Sequence, residues 1–348
     1  MKEYLISGDF GKDTSKLLGK EKGEGSESIR KVSFKTKMYD LGKGDVEIEG
    51  NSHKIEMNGK TYIVGEQGIN KSYDTSKTQL IHQLCCYTGI CQYLEPDTKD
   101  NNIYMVLACP ISVLQSPEAK EEFKQFMKGD GIIKVVVDDK NYEFEIKDVI
   151  IKAEGSGILY SDPATFKDND IVLFDIGGLN LGINVYRNGV CTKEDRFAEE
   201  YGNERLIKEI QDKMSIYYKG NIIKEEEATK ILDDGYALKY GSKDKKSEDY
   251  LEQAREDYFK GVLQMAKKHK INIELYNSII FVGGTVKRIT DIIRREIPNA
   301  IIPEDPQWST VEGLYRVLFA KHGQNKVEND GSSFIFSSSA AVVDIVGI

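Results

Sequence analysis

The apolar positions of the chain follow two periods. Where they alternate or run on unbroken, strands are predicted over residues 4–6, 14–18, 29–39, 46–49, 54–57, 60–64, 103–108, 132–137, 142–146 and 148–152. Where they recur every three or four residues, helices are predicted. Residues 75–87 bring Leu80, Ile81 and Leu84 to one face, and 117–127 carries Pro117 in its first turn. Asn58-Gly59 suits a type I′ turn, so 54–57 and 60–64 read as a hairpin, and a second hairpin is expected across 138–141.

The second half changes period again. Two strands within 171–186 flank a glycine-rich turn, and Arg187-Asn188-Gly189 ends the pair. Helices are predicted over 204–217, with Leu206, Ile207, Ile210 and Met214 on one side, over 225–233, and over 247–269, with a stripe of Leu251, Ala254, Tyr258, Val262 and Met265. A buried strand over 278–282, a helix over 286–296, a short strand over 300–302 and a last helix over 309–322 follow. Residues 19–28 and 242–249 read as solvated loops. Sheets alternating with crossover helices imply an α/β fold.

Composition narrows the function. The 348 residues suggest two domains of about 150. At 40% hydrophobic and 30% charged, the composition is that of a soluble protein, and no apolar run approaches the roughly 20 residues of a membrane helix. Five cysteines without regular spacing fit a reducing cytoplasm. Cys85, Cys86 and Cys91 lack zinc spacing and read as core packing, and Trp308 reads as core or interface. The net charge of −9 argues against direct binding to nucleic acid, so any link to DNA is expected through a basic adaptor protein. Residues 323–348 form a tail with an apolar end but no cationic face for a membrane.

Two segments nearly repeat each other. Each is an apolar strand ending in aspartate, with glycine two positions on and a returning strand after it: Asp9-Phe10-Gly11 and Asp175-Ile176-Gly177. Gly11 permits a tight turn whose amides can face an anion, Lys12 and Lys16 add positive charge, and Thr14 and Ser15 add hydroxyls. An aspartate at a strand end can hold Mg²⁺ through its water shell. No G-x-x-x-x-G-K-[ST] phosphate loop and no G-x-G-x-x-G follows a strand. A third element, the strand into Gly283-Gly284-Thr285 at a helix start, is suited to phosphate or ribose. The repetition suggests two similar domains facing a phosphate chain and its metal.

The order of these elements resembles the actin-type ATPase superfamily, and within it the ParM-type bacterial actins that segregate plasmids. Residues 9–16 resemble the first phosphate loop, Asp175-Ile176-Gly177-Gly178 the second, Gly283-Gly284-Thr285 the adenosine motif, 62–66 an early strand and turn, and 308–315 the closing helix. The likeness spans residues 4–322. The family pattern places Thr or Ser after the second loop, where Leu179-Asn180 stand here.

The resemblance implies a duplicated, ribonuclease H-like two-domain fold with a nucleotide cleft between the domains. The expected division is 1–165 with the closing helix 309–322, then 166–308 with a helical subdomain at about 191–270. It implies ATP, with GTP left open, and Mg²⁺ near Asp9 and Asp175. Glu154, between the two loops at an expected helix start, is the candidate to orient the attacking water. Lys230 and Glu226 are candidates to touch the adenine. The implied function is a cytoplasmic ATPase that polymerises into filaments for plasmid segregation, without membrane contact. A sugar-type kinase of the same superfamily, or an ATP-binding scaffold of the cell-division or pilus kind, stays open.

Overall fold

The computed structural model describes residues 1–42 and 44–323, so the expected tail lies, beyond its first residue, outside the described residues. The chain divides into two units, Met1–Lys167 with the segment from Trp308 onward, and Asp168–Gln307.

The first unit grows from a hairpin. β1 (Lys2–Phe10) and β2 (Thr14–Glu21) pair antiparallel with Asp9 opposite Lys16. The other strands are β3 (Arg30–Lys35), β4 (Met38–Gly42), β5 (Ser52–Met57), β6 (Lys60–Gly65), β7 (Asn101–Cys109), β8 (Ile132–Val137) and β9 (Lys140–Ala153). Among the described residues they form one sheet in the order β3-β2-β1-β7-β9-β8-β5-β6-β4, with β7 parallel to both β1 and β9. The β5–β6 turn has Asn58 at φ 53° and Gly59 at φ 74°, the positive pair that the Asn-Gly signal predicts. The strands expected over 142–146 and 148–152 are one strand. Ile103 and Tyr104 face Ile146 and Asp148, so Lys147 is the extra residue of a bulge, which broke the sequence pattern there.

The helices of this stretch are α1 (Leu80–Cys91), α2 (Ile111–Leu114), α3 (Pro117–Lys128), α4 (Gly157–Ser161) and α5 (Pro163–Phe166). Ser116 caps α3, its hydroxyl accepting from the Ala119 amide, with Pro117 behind it as expected. The helix expected from 75 begins only at Leu80, because the side chains of Asp74 and Ser76 capture the amides of Ser76 and Thr78 and keep 74–79 out of the helix. The strand expected over 46–49 is absent. There the Gln67 side chain accepts from the Glu49 amide and donates to the Glu47 carbonyl in place of a partner strand. Residues 19–21 extend β2 rather than open a loop.

The second unit repeats the plan. β10 (Ile171–Ile176) and β11 (Leu181–Tyr186) form an antiparallel hairpin with Asp175 opposite Gly182. β12 (Arg196–Glu199) joins β11, a separate small hairpin is made by β13 (Ala237–Lys239) and β14 (Ser242–Asp244), and β15 (Ser278–Val282) lies parallel to β10. The main order is β12-β11-β10-β15, and a single parallel bridge from Ile280 to Ile301 stands where a fifth strand was expected over 300–302. This matches β3-β2-β1-β7-β9 of the first unit position for position. The helices are α6 (Asn203–Tyr217), α7 (Glu225–Asp234), α8 (Lys246–Lys268) and α9 (Thr290–Glu296). The α6 stripe of Leu206, Ile207, Ile210 and Met214 is buried with Leu251, Ala254, Tyr258 and Val262 of α8. Residues 242–249 are β14 and the start of α8, not a loop. The expected helix 286–296 is a 3₁₀ turn over Gly284–Arg288 followed by α9.

The chain then returns to the first unit as α10 (Ser309–His322). Period-two alternation gives the first sheet two apolar faces. Tyr4, Ile6 and Phe10 of β1 belong to the core that contains Leu84, Cys85 and Ile90 of α1, while Leu5 packs with Val311, Leu314 and Leu318 of α10. The Ser7 hydroxyl donates to the Val311 carbonyl at 2.8 Å. Where α4 crosses α10 the backbones nearly touch, and a Cβ on Gly313 would lie 1.7 Å from the Gly157 carbonyl oxygen.

Candidate functional site

In the first unit the expected residues gather at the turn end of the β1–β2 hairpin. The Asp9 carboxylate is 2.9 Å from Lys16 Nζ and 3.6 Å from Lys77 Nζ, and Lys77 also forms an ion pair with Glu154. Burial works to raise the Asp9 carboxyl, but the ammonium groups of Lys16 and Lys77 outweigh it and hold the group below the usual carboxylate range. Burial likewise works to lower Lys77, and the charges of Glu154 and Asp9 raise it overall. Gly11 is tightly placed, since a Cβ there would meet the Thr14 carbonyl at 2.9 Å. Lys12 Nζ donates to the Tyr73 carbonyl at 3.1 Å, and the Thr14 hydroxyl donates to Asp13 at 2.8 Å.

Ser15 behaves differently. Strand alternation turns it inward, where it is 0% exposed and its hydroxyl shares a 2.8 Å hydrogen bond with that of Thr36. It braces β2 against the residue that follows β3. Glu154 lies in a turn three residues before α4 rather than at the expected helix start, and its amide donates to the Cys109 carbonyl at 3.1 Å.

In the second unit the loop after β10 rests on the start of α6. The amides of Gly202, Asn203 and Glu204 donate to the carbonyls of Leu179, Gly177 and Gly178 at 2.9, 3.0 and 3.0 Å. The unpaired amides that open a helix are therefore consumed by the loop and fix its shape. Gly202 is required there, as a Cβ would lie 2.5 Å from the Leu179 carbonyl carbon and 2.7 Å from two carbonyl oxygens. The loop is closed by the Gly177 amide, which donates to the Asn180 carbonyl at 2.9 Å.

The third motif meets this loop. Thr285, 2% exposed, donates its hydroxyl to the Gly177 carbonyl at 2.8 Å. Gly283 takes φ 100°, and a Cβ there would lie 2.7 Å from Asp175 Oδ1, so the carboxylate rests against its bare α-carbon. Gly284 faces Gln307. Arg288 ties the surroundings together, donating to Asn203 Oδ1 at 3.1 Å and pairing with Asp233 at 2.9 Å near the end of α7. Lys230 and Glu226 are exposed on α7, with Lys230 one turn before Asp233.

The chain matches the family model for the N-terminal domain of actin-like proteins over residues 7–157. It is 42% identical to the protein in the Alp12 filament structure, covering 92% of this chain and 99% of that one, with a TM-score of 0.70. The chain belongs to the actin-like proteins. Its fold also matches that of the archaeal actin homolog Ta0583 in complex with ADP, at 14% identity, 91% and 99% coverage and a TM-score of 0.67. A third match is the subunit of a 15-stranded ParM filament from Clostridium botulinum, at 17% identity, 91% and 99% coverage and a TM-score of 0.66. No curated protein sequence matches the chain. The actin-like two-domain α/β fold expected from the three motifs is thus the fold found.

In this actin-like protein, sequence reasoning missed Lys77, Gly202 and Arg288. Gly202 had a signal, a glycine just before an amphipathic stripe. Lys77 had none that separates it from the other basic residues, because its burial is decided by a loop that folds back onto Asp9. Among the described residues no helix is long and apolar enough to cross a membrane.

Proposed function

We propose that this protein is a polymerising ATPase of the ParM kind, whose filaments move plasmid DNA in the cytoplasm through a DNA-binding adaptor. The carrying observation is the convergence within each unit: Asp9 with Lys16 and Glu154 in one, Asp175 with Gly177, Gly283 and Thr285 in the other. The relative at 42% identity, covered almost end to end, was solved as a filament, and the more distant Ta0583 as an ADP complex. The filament supports assembly over a sugar kinase, and the ADP complex supports nucleotide binding under either reading.

The residues fit the proposed ligands. Each hairpin sets one aspartate at the end of its first strand, and no group of three or more metal-binding side chains occurs among the described residues. That donor set suits Mg²⁺, which keeps most of its own water. When bound, Mg²⁺ would neutralise phosphate charge, with Asp9 and Asp175 holding its water shell. Gly11, Lys12, Thr14 and Lys16 would bind phosphate from the first loop, and Gly177, Gly178, Leu179 and Asn180 from the second. Gly283, Gly284 and Thr285 would seat the nucleoside, with Lys230 toward the base. Glu154 would orient the attacking water, since phosphoryl transfer is mainly positioning and charge. Ser15, paired inside the hairpin, serves its shape.

Light scattering and sedimentation with ATP and Mg²⁺ test the proposal. Assembly that needs both is expected. Turnover that depends on an added sugar, without assembly, would replace this reading with the kinase.

A further inference from the structure

Lys77 is a charged side chain only 2% exposed. Taking an ammonium out of water is costly unless carboxylates surround it, and here two do. Its Nζ is paired with Glu154 and stands 3.6 Å from Asp9 Oδ1. The residue occupies the left-handed region at φ 55°, which is uncommon for a side chain of this size.

The surrounding loop is built to hold it. Asp74 accepts from the Ser76 amide at 2.8 Å and from Gln79 Nε2 at 3.0 Å, and the Ser76 and Thr78 hydroxyls share a 2.7 Å hydrogen bond. The loop is fastened to its neighbours as well. Lys12 of the first turn donates to the Tyr73 carbonyl, and the Ser112 hydroxyl donates to the Thr75 carbonyl at 3.4 Å. Among the described residues, Lys77 is the side chain that the Glu154 carboxylate is bonded to.

We propose that Lys77 is a positioning residue that fixes the direction of the Glu154 carboxylate relative to Asp9 and so sets where water is held for attack. The inference rests on the role given to Glu154 above. A carboxylate in a turn rotates freely unless anchored, and small misplacements of such a group cost rate steeply. The anchor has a fixed cation at its end and a cross-braced loop at its base, so it transmits the position of the first turn to the Glu154 side chain.

A double-mutant cycle on the full chain tests this, with phosphate release for turnover and ADP titration for binding. Lys77→Met is expected to lower kcat at least about tenfold while ADP affinity stays within about threefold. Lys77→Arg, which keeps the cation, should restore turnover to within about threefold of wild type. Added to Glu154→Gln, Lys77→Met should change turnover by less than about twofold, because the two residues act as one unit. Equal losses in both backgrounds, or wild-type kcat in Lys77→Met, would overturn the inference. Full turnover in Glu154→Gln alone would remove the role of Glu154 itself, and the inference with it. Should Lys77→Met fail to bind ADP, the lysine ammonium NMR signal of the wild-type chain decides. Slow proton exchange at Lys77 that is lost in Glu154→Gln supports the anchor, and exchange like that of a free lysine overturns it.

Discussion

The Thr285 hydroxyl donates to the Gly177 carbonyl across 2.8 Å, joining segments 108 residues apart in sequence. Because Gly177 also accepts from the Asn203 amide, one carbonyl ties the turn after β15 and the start of α6 to the second loop.

Thr285→Val keeps the shape and removes the donor. A buried hydrogen bond of this kind is worth about 1 kcal/mol, and the expected outcome is a loss of that size in unfolding free energy. ATP affinity should fall several-fold with it, since the loop loses its tether. Urea unfolding and nucleotide titration on the same preparation check both. An affinity loss without a stability loss would mean that Thr285 touches nucleotide directly.

Asp175→Ala is expected to abolish ATP-dependent assembly and turnover together while leaving the fold intact. The carboxylate rests on a glycine α-carbon, so its removal leaves little packing to collapse. Sedimentation with ATP and Mg²⁺, alongside circular dichroism, checks this. Normal assembly in the variant would sink the assignment of the second loop.

His82 carries a pH dependence. It is 0% exposed in α1, and among the described residues neither ring nitrogen has a hydrogen-bond partner. Burial and then the Lys77 charge hold it down to about 3, against an ordinary 6.5. The folded state thus refuses a proton that the unfolded chain accepts. The stability tied to neutral His82 is whole above pH 6.5 and drains away as pH falls toward 3, by at most about 1.4 kcal/mol per unit. Urea midpoints at pH 7 and pH 5 should fall further for wild type than for His82→Leu. Parallel slopes in the two proteins would refute it.

Gly313→Ala should destabilise the first unit by about 1–3 kcal/mol, because its Cβ would enter the Gly157 backbone and neither helix can yield freely. Thermal unfolding measures it. A neutral result would show that α10 can shift along the sheet.

The strands and long helices were legible because each buries one apolar face, and burial writes its period into the sequence. The α6 and α8 stripes are cases of this; the Ser278–Val282 strand, buried on both faces, showed instead as an unbroken apolar run, and the hairpin turns through residues that tolerate positive φ. What stayed hidden was decided by side chains capturing backbone amides. Asp74 and Ser76 delay α1, and Gln67 replaces a strand partner at 46–49. The aspartates and glycines of the candidate site stood out because strand ends and tight turns restrict residue type. Ser15 was misjudged because a single hydroxyl does not announce which side of a strand it faces. Lys77 was invisible because its partner Asp9 lies 68 positions away.

The two hairpins share a plan yet differ at the position that faces the acid: Lys16 stands across from Asp9, and Gly182 across from Asp175. One acid is met by a cation from the neighbouring strand, and the other by a residue without a side chain. The repeated backbone plan therefore leaves the charge beside each acid to be set separately, by the residue that the partner strand places across from it.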